Sequence, residues 1–232
     1  MLLKELRTAV LEANLELVRR GLVLYTFGNA SGINRDQNLI VIKPSGVDYD
    51  DLRPEHMVVT DLQGKIVDGN LKPSSDLDTH TLLYREFPSI GAVVHTHSEF
   101  ATSFAQAGLP IPPLGTTHAD YFHGPVPCTQ PLTDEAINGR YVHETGIAIV
   151  NHFHQHKIDP LAVPACLVNG HAPFAWGRNP HDAAHNAVVL EAVAKMAYNT
   201  LTLRSECAGV SQALLDRHYF RKHGSKATYG QN

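Results

Sequence analysis

Ile90-Gly91-Ala92-Val93-Val94-His95-Thr96-His97 is an apolar run that closes on two histidines with one residue between them. Val93 and Val94 are β-branched and read as a short buried strand. Successive side chains of a strand point to opposite faces, so residues two apart share a side. His95 and His97 are therefore aimed at one place, as the first two ligands of a divalent metal must be. A third histidine, His171, follows a second apolar run, Ala165-Cys166-Leu167-Val168. Three imidazoles leave a tetrahedral ion one open position, which suits a catalytic zinc site better than a structural one. Manganese or cobalt can replace zinc among such donors. The plainer alternative is a pair of core or surface histidines that share a spacing by accident.

The chain has 232 residues, 43% hydrophobic and 18% charged, which fits one globular domain over residues 1–232 with a sizeable core. A net charge of -4 gives no general attraction to nucleic acid or to an anionic membrane. No apolar run approaches the length of a membrane span. Lys4, Glu5 and Arg7 interrupt the apolar pattern at the start, unlike a secretory signal. Cys128, Cys166 and Cys207 are odd in number and lack close pairing. That argues for a reducing compartment and a cytoplasmic enzyme.

Helical spacing of Leu2, Leu3, Leu6, Val10, Leu11 and Leu15 predicts a helix over residues 2–20, stopped by Gly21. Residues 22–26 and 39–42 read as strands, and 57–62 with 65–67 as a hairpin around Gln63-Gly64. Helices are expected over 76–86, 98–107, 133–139, 145–156, 179–198 and 211–222. Strands are expected at 165–168 and 174–176. Strands and helices intermix without strict alternation, and short turns join several strands. The expected fold is α/β, a central mostly antiparallel sheet flanked by helices in a three-layer sandwich.

Three turns carry small and polar residues. Lys72-Pro73-Ser74-Ser75-Asp76-Leu77-Asp78 precedes a helix, and Ser75 with Asp78 matches a capping box. A helix start with two hydroxyls also suits a phosphate, and Asp76 is placed to complete or support the metal shell. Phe27-Gly28-Asn29-Ala30-Ser31-Gly32 allows close backbone approach to a ligand. Lys43-Pro44-Ser45-Gly46 ends a strand with a cation, a hydroxyl and a free amide. Taken singly, each is an ordinary turn. Gly115-Thr116-Thr117-His118-Ala119-Asp120-Tyr121 reads as a polar loop, with Asp120 as a candidate acid or base and His118 as a satisfied loop histidine. The basic, aromatic run from His218 to Gly224 reads as a solvated helix face rather than a nucleic-acid patch.

With these blocks in this order, the chain resembles the L-ribulose-5-phosphate 4-epimerase family of the class II aldolase superfamily. The likeness takes in Gly28-Asn29, Lys43-Pro44-Ser45-Gly46-Val47, Lys72-Pro73-Ser74-Ser75-Asp76, His95-Thr96-His97-Ser98 and Gly115-Thr116-Thr117-His118-Ala119-Asp120-Tyr121-Phe122. It continues through His171-Ala172-Pro173-Phe174-Ala175-Trp176-Gly177, Arg221-Lys222-His223-Gly224 and Tyr229-Gly230-Gln231. The resemblance implies one zinc held by His95, His97 and His171, with Asp76 at or next to it. It implies substrate contacts from Gly28, Asn29, Lys43, Ser45, Gly46, Ser74, Ser75 and Thr116. It implies Asp120 and Tyr229 as an acid/base pair, in a homotetramer whose sites lie between subunits and take His218 and Tyr229 from the neighbour. Two positions depart from the family pattern: Gln130 stands where arginine is usual, and Val142 where an acid is common, although Glu144 is close by.

The implied reaction is zinc-dependent interconversion of L-ribulose 5-phosphate and D-xylulose 5-phosphate, with arabinose breakdown among the pentose routes it serves. The C4 hydrogen is not acidic, so inversion there needs cleavage and re-formation of the C3–C4 bond. The competing enzymatic reading is a class II aldolase that releases dihydroxyacetone phosphate and an aldehyde. A histidine-rich metal store is the non-enzymatic one; it fits scattered histidines poorly.

Overall fold

Alternation of apolar side chains along each strand decides the layering. The computed structural model describes residues 1–224, 227 and 228. Its helices, among the described residues, are α1 (Lys4–Arg19), α2 (Leu77–Glu86), α3 (Glu99–Ala107), α4 (Thr116–Ala119), α5 (Asp134–Asn138), α6 (Tyr141–His156), α7 (Pro180–Leu203) and α8 (Gln212–Lys222). Its strands are β1 (Asn29–Asn34), β2 (Leu39–Ile42), β3 (Val58–Asp61), β4 (Ile66–Asp68), β5 (Ala92–His95), β6 (Ala165–Leu167) and β7 (Pro173–Gly177). They form one sheet in the order β4-β3-β2-β1-β5-β7-β6. Every pairing is antiparallel.

Val41, Val59, Ala92, Val94, Ala165, Leu167 and Ala175 face α1, α3 and α7. Ile40, Ile42, Val58, Val93, Cys166, Phe174 and Trp176 face the other way, onto α2 and α6. The strands other than the exposed edge strand β4 thus feed two cores, and the three-layer expectation holds. Among the described residues, no helix is long and apolar enough to cross a membrane.

Several boundaries differ from the sequence reading. Residues 22–26 form no strand: Leu22 is buried, but Leu24 and Tyr25 are exposed, and Tyr25 turns at φ 52°. The strand begins instead at Asn29, inside the small-residue run that reads as a turn. Packing explains why that strand contains Gly32. A Cβ on Gly32 would stand 2.9 Å from Leu6 and 3.1 Å from Val10 and Pro180, so α1 and α7 lie too close for a β-branched residue. The capping box is also absent. Asp76 occupies the N-cap position of α2 without a side-chain cap, and its own amide donates to Ser74 Oγ at 3.3 Å. Residues 116–119 are a short helix rather than a loop, α6 starts at Tyr141, and α7 runs on to Leu203.

α3 begins two residues after His97 and has no side-chain cap of its own. The Glu191 carboxylate, from α7, accepts from the amides of Phe100 at 2.8 Å and Ala101 at 2.9 Å. It satisfies two orphan donors and places negative charge at the positive end of the helix. Glu191→Ala is expected to lower stability by ~1–2 kcal/mol. A urea midpoint unchanged from wild type would show that the contact contributes nothing.

Candidate metal centre and its cavity

His95 is the last residue of β5, opposite Asn29 of β1 and Phe174 of β7. Its ring stacks on Phe174 with centroids 4.2 Å apart. Its Nδ1 lies 3.0 Å from the carbonyl oxygen of Pro173. A carbonyl only accepts, so Nδ1 carries the proton and Nε2 keeps its lone pair. His97 Nε2 is 3.2 Å from that Nε2. The His171 ring, from the turn between β6 and β7, lies 4.9 Å from His95 and 5.1 Å from His97. One nitrogen from each histidine falls within 4.8 Å of the other two.

Burial pushes all three imidazoles below their ordinary pKa, His171 to about 4. They are neutral at pH 7. Two nitrogens meeting at 3.2 Å need a proton or a cation between them, and the buried Nδ1 of His171 has no hydrogen-bond partner among the described residues. Three neutral imidazoles converging in this way fit a divalent metal.

The histidines open onto a cavity of about 410 Å³. Gly28, Asn29, Lys43, Ser45, Gly46, Ser74, Ser75 and Asp76 also line it. Asp76 Oδ2 accepts from Asn29 Nδ2 at 2.7 Å. Burial alone would raise the Asp76 carboxyl, but the imidazoles of His95, His80 and His171 and the Asn29 amide together hold it below the usual range. It remains a carboxylate beside the histidines, though outside their cluster of converging nitrogens. The turns at 43–46 and 72–75 are tied together. The amide of Ser45 donates to Lys72, that of Ser74 to Lys43, and Pro44 bridges Pro73. Lys43 is buried, and burial lowers its amine to about 8 against the opposing charge of Asp48. Its Nζ donates to the carbonyls of Val47 at 2.9 Å and Pro44 at 3.3 Å.

Asp120, His218 and Thr116 are not among the described residues lining this cavity. Thr116 is exposed at the start of α4, and Asp120 closes that helix. The Asp120 carboxylate lies 3.0 Å from His218 Nδ1 and accepts from Arg221 Nε at 3.1 Å and Nη2 at 2.9 Å. Burial opposes its ionisation, but these partners and Lys222 keep its pKa low. His218 therefore stands with Asp120 of its own chain, so a subunit that supplies one supplies both. The expected arrangement takes His218 and Tyr229 from the neighbouring subunit. Tyr229 lies outside the described residues. Gln130 is exposed, and the Val142 carbonyl accepts from Thr79 Oγ1 at 2.5 Å.

Sequence reasoning passed over three neighbours of the cavity. The Tyr141 ring is 5.9 Å from that of His171. Tyr49 sits against Lys43 and Gly28. His80, fully buried, has Nδ1 2.7 Å from Ser31 Oγ, which is also 2.7 Å from Tyr84 OH. Only His80 left a trace in the sequence, four residues beyond Asp76 and so on the same helical face.

A family model, class II aldolase and adducin N-terminal domain, matches residues 8–198. Among solved structures, an L-fuculose 1-phosphate aldolase superposes with a TM-score of 0.75 at 23% identity, covering 94% of this chain and 95% of its own. L-fuculose-1-phosphate aldolase from Thermus thermophilus gives 0.68 at 24% identity, covering 88% and 98%. YgbL from Klebsiella pneumoniae gives 0.71 at 24%, covering 92% and 97%. At these identities the likeness is one of fold.

Burial drives His80 down to about 3. Above its unfolded value of 6.5 it is neutral in both states. As pH falls below 6.5 the unfolded chain takes up the proton and the folded one does not, so stability is lost down to about pH 3. The expected slope from this group is ~1.4 kcal/mol per pH unit, with His118 and His171, both near 4, acting in the same sense. Urea titrations between pH 7 and 4 should show a shallower slope in His80→Gln. An identical slope would place the acid sensitivity elsewhere.

Proposed function

The chain belongs to the class II aldolase family, and on that premise we propose that it acts as one domain, residues 1–232, interconverting L-ribulose 5-phosphate and D-xylulose 5-phosphate with a divalent metal, zinc foremost. One observation carries the reading: three converging imidazoles share a cavity with a buried lysine and two hydroxyl-bearing turns. An electrophile and an anion cradle in one cavity suit a sugar phosphate.

Inversion at C4 proceeds by breaking C3–C4, because that carbon is not adjacent to the ketone. A divalent cation held by His95, His97 and His171, with Asp76 beside it, supplies Lewis acidity that stabilises the oxyanion this cleavage generates. Lys43, Ser45, Gly46, Ser74 and Ser75 bind the phosphate, which remains on the two-carbon aldehyde half. With that half anchored, its carbonyl can rotate and present the other face without leaving. Asn29 Oδ1, buried and without a partner among the described residues, accepts from a substrate hydroxyl, and Gly28 admits the substrate close to the backbone. Asp120, kept ionised by Arg221 and His218, takes the C4 hydroxyl proton, and Tyr229 serves the opposite face. Because Asp120, His218 and Thr116 do not line the cavity of their own chain, the reading takes them from a neighbouring subunit of a homotetramer.

The second reading, a class II aldolase releasing dihydroxyacetone phosphate and an aldehyde, draws on the two L-fuculose-1-phosphate aldolases of like fold. Products separate the two. Metal-loaded protein given D-xylulose 5-phosphate is expected to form L-ribulose 5-phosphate; turnover of a ketose 1-phosphate to dihydroxyacetone phosphate and an aldehyde, with no conversion of the 5-phosphate, would favour the aldolase. His97→Asn should lose metal and turnover together, followed by metal analysis and rate. Tyr229→Phe should keep metal and fold and lose ~100-fold or more in kcat. A wild-type rate in that variant would remove the tyrosine from the mechanism.

A further inference from the structure

Tyr49 belongs to none of the motifs that carry the proposed chemistry, yet it touches both walls of the cavity. It stands three residues beyond Gly46 in a short 3-10 turn, Tyr49–Asp51, and is 5% exposed. The Lys43 ammonium lies over its ring, with Nζ 4.7 Å from the centroid. Its hydroxyl donates to the carbonyl of Gly28 at 2.9 Å. Gly28 sits at φ +87°, and a Cβ there would come within 2.8 Å of the His95 carbonyl oxygen. A single side chain thus links the lysine on one wall to the backbone that rests on the first histidine.

The link has a physical reason. Lys43 commits two of its three N–H groups to the carbonyls of Pro44 and Val47. A buried ammonium also needs its remaining surface covered by something that favours positive charge, and the face of an aromatic ring does so. On the other side, Gly28 lies in the left-handed region, where its conformational freedom is greatest. A hydrogen bond from a buried phenol to its carbonyl removes that freedom.

We infer that Tyr49 is a positioning residue for the anion-binding half of the cavity, setting the Lys43 ammonium and the Gly28 wall at a fixed separation from the histidines. The inference rests on the reading of this cavity as a sugar-phosphate site and adds the residue that holds its two walls together. Tyr49 touches no reacting atom; it acts through Lys43 and Gly28.

The test is calorimetric titration of metal-loaded protein with inorganic phosphate, on wild type, Lys43→Met, Tyr49→Phe, Tyr49→Leu and the Lys43→Met/Tyr49→Leu double variant. Lys43→Met should weaken phosphate binding about 10-fold or more. Tyr49→Phe, which keeps the ring and loses the hydroxyl, should weaken it about 3-fold. Tyr49→Leu, which loses both, should weaken it about 10-fold. The loss in the double variant should fall well short of the product of the two singles, because both act through one ammonium. Metal content should stay at wild type in the Tyr49 variants, which general damage to the fold would not allow.

Wild-type affinity in both Tyr49 variants, or losses that simply multiply, would overturn the inference while leaving the phosphate site in place. Wild-type affinity in Lys43→Met would overturn the phosphate reading, and the role of Tyr49 with it. Should Tyr49→Leu fail to fold, Tyr49→Phe and its combination with Lys43→Met decide by the same criterion.

Discussion

The proton on His95 Nδ1 is the constraint on which the site depends. It is donated to the carbonyl of Pro173, and that leaves Nε2 as the lone pair facing the cavity. The carbonyl is in place because β7 pairs antiparallel with β5 and opposes Phe174 to His95. Phe174 then stacks beneath the same ring. Sheet register therefore fixes both the tautomer and the tilt of the imidazole. Burial works in the same direction by disfavouring the imidazolium. Were His95 protonated on both nitrogens, His97 and His171 would converge on a positive charge, and a metal would be repelled.

The layering was legible because alternation survives in the strands that carry branched side chains. Ile40, Val41 and Ile42 switch faces one by one, and so do Ala92, Val93 and Val94. It failed at β1, the strand that contributes Asn29 to the cavity. Asn29, Ala30, Ser31 and Gly32 lack the residues that favour strands: α1 and α7 press too closely at Gly32, while Ser31 and Asn29 serve polar contacts to His80, Tyr84 and Asp76. Tertiary packing overrode local preference. The adjoining residues 22–26 have the apolar character of a strand but lie outside the sheet.

The site divides along similar lines. His95 and His97 were readable because their spacing is local, and the lysine-proline-serine turns because their residue types are local. Tyr49 and His80 carried weaker signals, since their hydrogen-bond partners lie far along the chain: Gly28 is 21 residues from Tyr49, and Ser31 is 49 residues from His80. No period or motif encodes such a contact. The Asp120 group was half legible. Its polar residues stood out, but its pairing with α8, about a hundred residues on, needed coordinates.

That pairing bears on why the proposed proton carriers lie apart from the histidines. A carboxylate that ligates a divalent cation shares its lone pairs with the metal and is a weak base while bound. Among the described residues, Asp76 is the carboxylate that lines the cavity, and Asn29 donates to one of its oxygens. Beside the histidines, it is placed to support the charge of a bound cation. In the proposed reaction, a base for the sugar hydroxyl is better supplied from outside the metal's reach and from another direction. Asp120 meets that requirement, since its carboxylate is bound to the side chains of α8 and stays off the histidine wall of its own chain. The subunit boundary in the proposed assembly then has a chemical purpose. It would keep the proposed acid/base carboxylate and the bound cation on separate subunits, so that they approach the substrate from different sides.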